Sequence, residues 1–142
     1  MPLKFLAIVT LLALGAGLPA SAMDRWAALS QIESGDNDTA VGSDGEISRF
    51  QMKPEVWKQY ASTNANWADP QTSLSVATEA MKQRCAEFQQ AHQRPPTDFE
   101  FYILWNAPGQ IEHPCDAVRE RAERFCNLVR RPDNSERTAV HP

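Results

Sequence analysis

The stretch Trp26-Ala-Ala-Leu-Ser-Gln-Ile-Glu-Ser-Gly35 predicts a short amphipathic helix that ends on a glutamate. Its large apolar residues recur at intervals of three and therefore share one helix face: Trp26, Leu29 and Ile32. Asp24 can cap the start of this helix, and Gly35 can adopt the left-handed conformation that ends it. We expect the remaining elements to pack around its apolar face.

Glu33 follows the last apolar residue of this stretch, so we expect its carboxyl on the buried side of the helix end. Partial burial disfavours the charged form of a carboxylate and raises its pKa. A raised pKa is what a general acid needs. Glu33 is therefore the candidate catalytic residue. The alternative is an ordinary solvated glutamate in the last turn, because most glutamates lie on the surface.

Residues 1–22 have the pattern of a secretory signal peptide. Lys4 supplies a positive charge, residues 5–18 are almost entirely apolar, and Ala20-Ser-Ala22 is a small-residue cleavage site. The apolar run of about 14 residues is shorter than the roughly 20 that a spanning helix needs. We expect export to the periplasm or the exterior, with cleavage after Ala22 and no stable membrane anchor. An uncleaved anchor is the alternative.

The remaining chain suits one domain over residues 23–130, followed by a flexible tail over 131–142. The whole sequence has 14 Lys and Arg against 18 Asp and Glu. Loss of Lys4 with the leader leaves a net charge of about −5. No basic run or stripe is present, which argues against nucleic acid and lipid headgroups as partners. We expect a monomer.

Three cysteines make an odd number for a chain bound for an oxidising compartment. Cys115 and Cys126 fall in one predicted helix, about 16 Å apart by helical rise. A disulfide needs Cα atoms within about 7 Å, so a bridge from Cys85 to one of the other two is favoured. The absence of any bridge is the alternative. The spacing of the cysteines, His92 and His113 fits no zinc pattern, and we predict neither a metal nor an organic cofactor.

Apolar spacing and end signals predict four further helices. They cover Pro54–Tyr60, about 70–92, a segment that Thr97 or Asp98 caps and 107–109 ends, and about 114–129. The third of these is apolar nearly all round and should be the most buried helix, with Tyr102 and Trp105 among its residues.

Between the first two helices, Ser43-Asp-Gly45 predicts a turn and residues 46–50 a returning strand. This small β-hairpin would fold back over Glu33. The fold class is therefore mainly α, formally α+β, with one hairpin beside the cleft.

Three segments in register resemble the lytic transglycosylase family, which includes soluble lytic transglycosylase-like and goose-type lysozyme-like peptidoglycan-cleaving domains. Ile32-Glu-Ser-Gly35 is similar to the catalytic Glu-Ser motif at a helix end. Gly45-Glu-Ile-Ser-Arg-Phe-Gln-Met-Lys-Pro54 resembles the segment Gly-Ala-x-Gly-Leu-Met-Gln-x-x-Pro. Leu104-Trp-Asn-Ala107 stands in the place of Ala-Tyr-Asn-Ala. The resemblance covers about residues 26–111 and implies a lysozyme-like fold.

The resemblance also implies residue roles at the matching positions. Glu33 would be the single acid and base, and Ser34 would help to fix its surroundings. Gln51 would line the cleft wall and bond the sugar or the backbone near Glu33. Asn106 would contact the substrate, which is the glycan strand of peptidoglycan. The candidate substrate-binding residues are therefore Ser34, Gln51, Tyr102, Trp105 and Asn106.

The chain departs from the family pattern at several positions. Ser48 and Arg49 replace the glycine and leucine of the second motif. Trp105 replaces a tyrosine whose hydroxyl reaches the glutamate, and an indole can donate a hydrogen bond but not accept one. Tyr102, one turn earlier, can supply that hydroxyl instead. Pro108 interrupts what would be Asn-Ala-Gly.

The resemblance implies cleavage of the β-1,4 bond between N-acetylmuramic acid and N-acetylglucosamine. In lytic cleavage the muramyl 6-hydroxyl attacks its own anomeric carbon, so one carboxyl suffices and a 1,6-anhydromuramyl end results. Hydrolysis as in a lysozyme is an alternative and needs a second carboxylate. The candidates are Asp36, Asp38, Asp44 and Glu46. A peptidoglycan-binding or inhibitory protein without turnover is a further alternative.

Overall fold

The computed structural model describes residues 22–130, in which five α-helices are joined by loops and one short 3-10 helix. In chain order they are α1 (Arg25–Ser34), α2 (Pro54–Tyr60), α3 (Pro70–His92), α4 (Asp98–Asn106), the 3-10 helix (Pro108–Gln110) and α5 (Asp116–Val129). The mainly helical class is confirmed. The predicted leader, apart from Ala22, and the predicted tail lie outside the described residues.

Helix α1 has the ends that its sequence predicts. The Asp24 carboxylate accepts hydrogen bonds from the backbone N–H of Trp26 and of Ala27, at 2.8 and 3.1 Å. At the other end Gly35 is left-handed, with φ 65°. These local contacts fix where α1 stops, and therefore where Glu33 stands.

Helix α4 is the most buried helix, as its composition predicts. Its start carries a capping box, in which Thr97 accepts from the Glu100 N–H and the Glu100 carboxylate accepts from the Thr97 N–H. Arg94 donates two hydrogen bonds to the same carboxylate and holds the pKa of Glu100 at about 2. Every residue of the run 101–105 is buried.

One hydrophobic core is shared by α1, α3, α4, α5 and the loop between α1 and α2. Helix α4 contacts both α3 and α5, and α5 also contacts α1. Aromatic rings fill the space between α1, α4 and the loop, with Trp26 edge-on to Phe50, Phe101 and Trp105 at centroid distances of 5.7 to 6.2 Å. This packing attaches the loop to the helices.

The predicted β-hairpin is replaced by two isolated antiparallel bridges, Val41 with Ile47 and Ile47 with Met52. A turn is present at 42–45, where the Gly45 N–H donates to the Gly42 carbonyl at 3.2 Å. No strand follows it among the described residues. Ser48 and Gln51 have left-handed backbones, with φ 69° and 49°, and two such residues bend the chain away from the extended conformation.

The expected disulfide from Cys85 is not formed, and all three cysteines are free. Their surroundings differ, because Cys85 is half-buried on α3, Cys115 is exposed at the start of α5, and Cys126 is buried further along that helix. Burial raises the thiol pKa of Cys85 and Cys126. Within residues 22–130 no helix has the length and apolar character to cross a membrane.

Candidate active site

Glu33 lies in the last turn of α1 and is half-buried against α4. The Tyr102 hydroxyl donates a hydrogen bond to Glu33 Oε1 at 2.8 Å, across 69 residues of sequence. Tyr102 itself is fully buried. Trp105 occupies the position of the motif tyrosine, and the Tyr102 hydroxyl bonds the glutamate instead. Because Tyr102 has no exposed surface, the structure places its hydroxyl against Glu33 and not in solvent.

Burial raises the pKa of Glu33 above its ordinary value of 4.5. The hydrogen bond from Tyr102, the positive charge of Arg121 and the Asn106 side chain each lower it, and the negative charge of Glu46 raises it. Burial outweighs these opposing effects. Burial and the charge of Glu33 also raise the pKa of Tyr102, which therefore remains a protonated donor.

Glu33 opens into a cleft of about 490 Å³. The lining comes from α1, the loop, α2, α3, the end of α4 and α5: Glu33, Gly42, Ser43, Glu46, Gln51, Met52, Lys53, Glu55, Val56, Arg84, Trp105, Asn106, Pro108 and Arg121. The structure thus brings Gln51, Trp105 and Asn106 into one cleft with Glu33. Pro108, one of the departures, lies on the same wall.

Two hydrogen bonds attach the loop to the helices beside Glu33. Ser34, the next residue, donates through its hydroxyl to the Arg49 carbonyl at 2.8 Å. The Trp105 indole donates to the Phe50 carbonyl at 3.0 Å. Ser34 is not part of the cleft lining, and its hydroxyl holds the loop instead. Trp105 both bonds the loop and lines the cleft.

Gly42 lets the loop side chains pack closely on the cleft wall. A Cβ at this position would overlap the carboxylate of Glu46 and would lie 2.7 Å from Gln51 Oε1. The amide of Gln51 also donates to the Ser48 carbonyl, at 3.0 Å. Ser48 is fully buried, and its hydroxyl accepts from the Phe50 N–H at 3.3 Å. A small residue at position 42 therefore sets where Glu46 and Gln51 stand.

Of the four loop carboxylates considered for hydrolysis, Glu46 alone lines the cleft. Asp36 accepts a hydrogen bond from the Ser30 hydroxyl at 2.5 Å. Asp38 forms an ion pair with Arg49 at 2.5 Å. Arg49, which replaces the leucine of the family motif, therefore contacts a carboxylate of the same loop. Asp44 is exposed and is not part of the lining.

Sequence reasoning missed two arginines of the cleft, Arg84 and Arg121. Alternating Arg and Glu along α5 are typical of a solvated face, but Arg121 stands three residues after buried Val118 and four before buried Phe125. Arg84 similarly stands three residues after buried Met81 on α3. Helical spacing places both beside an inward stripe, and this was the signal that could have found them.

Among the residues that the structure describes, no three His, Cys, Asp or Glu side chains are grouped so that they could hold a metal ion. Comparison with protein-family models, with curated proteins and with solved structures gave no match to this chain.

Proposed function

We propose that this chain is a peptidoglycan lytic transglycosylase with a lysozyme-like fold. It would cleave the β-1,4 bond between N-acetylmuramic acid and N-acetylglucosamine and leave 1,6-anhydromuramyl ends. The predicted leader would deliver it to the periplasm or the exterior, where this polymer lies.

The observation that carries the proposal is the state of Glu33. This carboxyl lies at the wall of a cleft, its pKa is raised by burial, and the Tyr102 hydroxyl holds it at 2.8 Å. A general acid is most effective when its pKa lies near the working pH. The other features of the resemblance, Gln51 and Asn106, line the same cleft.

The proposed reaction uses one carboxyl twice. Protonated Glu33 gives its proton to the glycosidic oxygen, and the bond from that oxygen to the muramyl anomeric carbon breaks. The N-acetylglucosamine product leaves with a 4-hydroxyl. The muramyl 6-hydroxyl then bonds to the anomeric carbon, and its proton returns to the Glu33 carboxylate. The charge of Arg121 and the Asn106 side chain favour the carboxylate form in between.

Hydrolysis is the second candidate, and the position of Glu46 favours it. Glu46 is a second carboxylate in the cleft and lies close enough to raise the pKa of Glu33 through its charge. If it activated a water molecule against the anomeric carbon, the product would carry a reducing muramic end.

The test is a digest of purified cell-wall sacculi with the wild type, Glu33→Gln and Glu46→Gln. Glu120→Gln, an exposed position on α5 outside the cleft, is the matched control. We expect anhydromuramyl products from the wild type and a loss of at least about 100-fold in Glu33→Gln. Reducing ends that disappear in Glu46→Gln would establish the hydrolase. A wild type that binds but does not cleave would favour the binding protein.

A further inference from the structure

Arg84 is a half-buried cation in the cleft that the proposed reaction does not use. It lies on α3, on the wall that also contains Trp105 and Asn106. Its Nη1 donates to the carbonyl oxygens of Leu104 and Trp105, both at 2.9 Å. Its guanidinium carbon lies 5.7 Å from the centre of the Trp105 ring. These contacts hold the guanidinium in one place beside the cleft.

Arg84 forms no ion pair with a carboxylate among residues 22–130. Four other arginines of this part of the chain do: Arg25, Arg49, Arg94 and Arg119. Glu87, one turn along α3, affects Arg84 only through its charge, and its own Oε1 accepts from Gln83. Burial makes the charged form of Arg84 costly and lowers its pKa. The end of α4 offsets part of this cost, because helix carbonyls carry partial negative charge.

The guanidinium has donors left for a ligand. A guanidinium has five N–H groups, and Nη1 accounts for two of them. Neither Nε nor Nη2 of Arg84 donates to a protein group within residues 22–130. This edge of a guanidinium matches the two oxygens of a carboxylate. Lys53 and Arg121 line the same cleft and add two further positive charges.

We propose that Arg84 binds a carboxylate of the peptide attached to the glycan strand, so that the enzyme prefers peptide-bearing strands to bare ones. This inference rests on the proposed function, because it takes the glycan strand as the ligand. Arg84 would thus be a specificity residue, separate from the acid chemistry of Glu33. A neutral sugar would leave its remaining donors without an anionic partner.

The experiment measures binding of three soluble strands of one length by calorimetry, with the Glu33→Gln protein so that no turnover occurs. One strand carries its peptides, the second carries peptides whose carboxylates have been amidated, and the third has had its peptides removed. We expect the first strand to bind about tenfold or more tightly than the other two, as a charge-assisted hydrogen bond implies. Added salt should reduce that preference. Equal binding of the three strands would overturn the inference.

Arg84→Gln in the same background should remove the preference, so that the three strands bind alike. Loss of binding to all three strands would mean that Arg84 acts only by holding α4, and would overturn the inference. Arg84→Lys keeps a charge and donors for the α4 carbonyls, and it should retain part of the preference. Arg119→Gln, an exposed arginine outside the cleft, is the matched control. Failure of the proposed function is a different result, in which the protein binds none of the strands and the wild type does not cleave sacculi.

Discussion

Burial and the hydrogen bond from Tyr102 shift the pKa of Glu33 in opposite directions. Burial favours the protonated carboxyl, whereas a donated hydrogen bond favours the carboxylate. The residue that holds Glu33 in place therefore also limits how far its pKa rises. Position and acid strength can be separated experimentally at this contact.

Tyr102→Phe removes the hydrogen bond but keeps the buried ring. The pKa of Glu33 should rise further, so the alkaline limb of the pH profile for sacculus cleavage should move to higher pH. The rate at the optimum should fall about 10- to 100-fold, because the carboxyl loses a positioning bond. Tyr60→Phe is the control, since the Tyr60 hydroxyl bonds Gln83 on the exposed surface. An alkaline limb that stays in place or moves to lower pH would contradict the assignment.

Glu33 also makes stability depend on pH. A carboxyl whose pKa is raised on folding stabilises the fold fully below its unfolded pKa, and this contribution is lost as pH rises through the folded pKa. We therefore expect Glu33→Gln to match the wild type near pH 4 and to become relatively more stable at pH 8. Urea denaturation at both values measures the difference, about 1.4 kcal/mol for each unit of raised pKa. A constant difference in free energy of unfolding between the two pH values would contradict it.

At this scale the sequence predicted the half-buried position of Glu33 better than the residues that surround it. Glu33 was predictable because local spacing alone places it beside an apolar stripe. Helical spacing also places Arg84 and Arg121 beside apolar stripes, but whether those stripe edges face the cleft depends on how the helices pack together. Tyr102 was predictable as a source of a hydroxyl, but its complete burial follows from the packing of α5.

Among the elements, helices and loop differ in how their conformations are determined. Helix ends depend on contacts within a few residues, such as the Asp24 cap and the capping box at Thr97, and sequence predicts them well. The loop between α1 and α2 depends on hydrogen bonds from Ser34 and Trp105, which lie 15 and 55 residues from their partners. Strand propensity could not anticipate those contacts, which is why two isolated antiparallel bridges stand where the sequence predicted strands.

Gly42→Ala tests whether the loop shapes the cleft. Its Cβ would meet the ends of the flexible Glu46 and Gln51 side chains, which can move without unfolding the loop. We expect sacculus cleavage to fall about tenfold or more, as for displaced catalytic groups, with a stability change below about 1 kcal/mol. Gly109→Ala is the matched control, because its Cβ would meet no atom within 4 Å. Unchanged cleavage in Gly42→Ala would show that the positions of Glu46 and Gln51 do not matter.

At the scale of the whole molecule, α5 packs against Tyr102, the residue that bonds Glu33. Phe125 is fully buried and packs on Phe101 and Tyr102 at ring distances of 5.9 and 5.6 Å. Tyr102 in turn holds Glu33. The position of the Glu33 carboxyl is therefore linked to the packing of the last helix against α4.

Phe125→Ala should lower the free energy of unfolding by about 3–5 kcal/mol, through lost burial and the cavity left behind. Cleavage should also fall at temperatures where the variant remains folded, because Tyr102 loses its support. Chemical denaturation and activity at low temperature measure the two effects. Leu128→Ala, at a half-buried position of α5, should cost less and leave cleavage unchanged. Full activity in folded Phe125→Ala would separate the site from this packing.

The span of 69 residues between Glu33 and the hydroxyl that holds it bears on the chain during its synthesis. Helix α1 emerges from the ribosome long before α4 and α5, and until those helices dock its glutamate is an ordinary solvated side chain. In the enzyme we propose, Glu33 would therefore be synthesised early, and its pKa would be raised only when the later helices have packed against it.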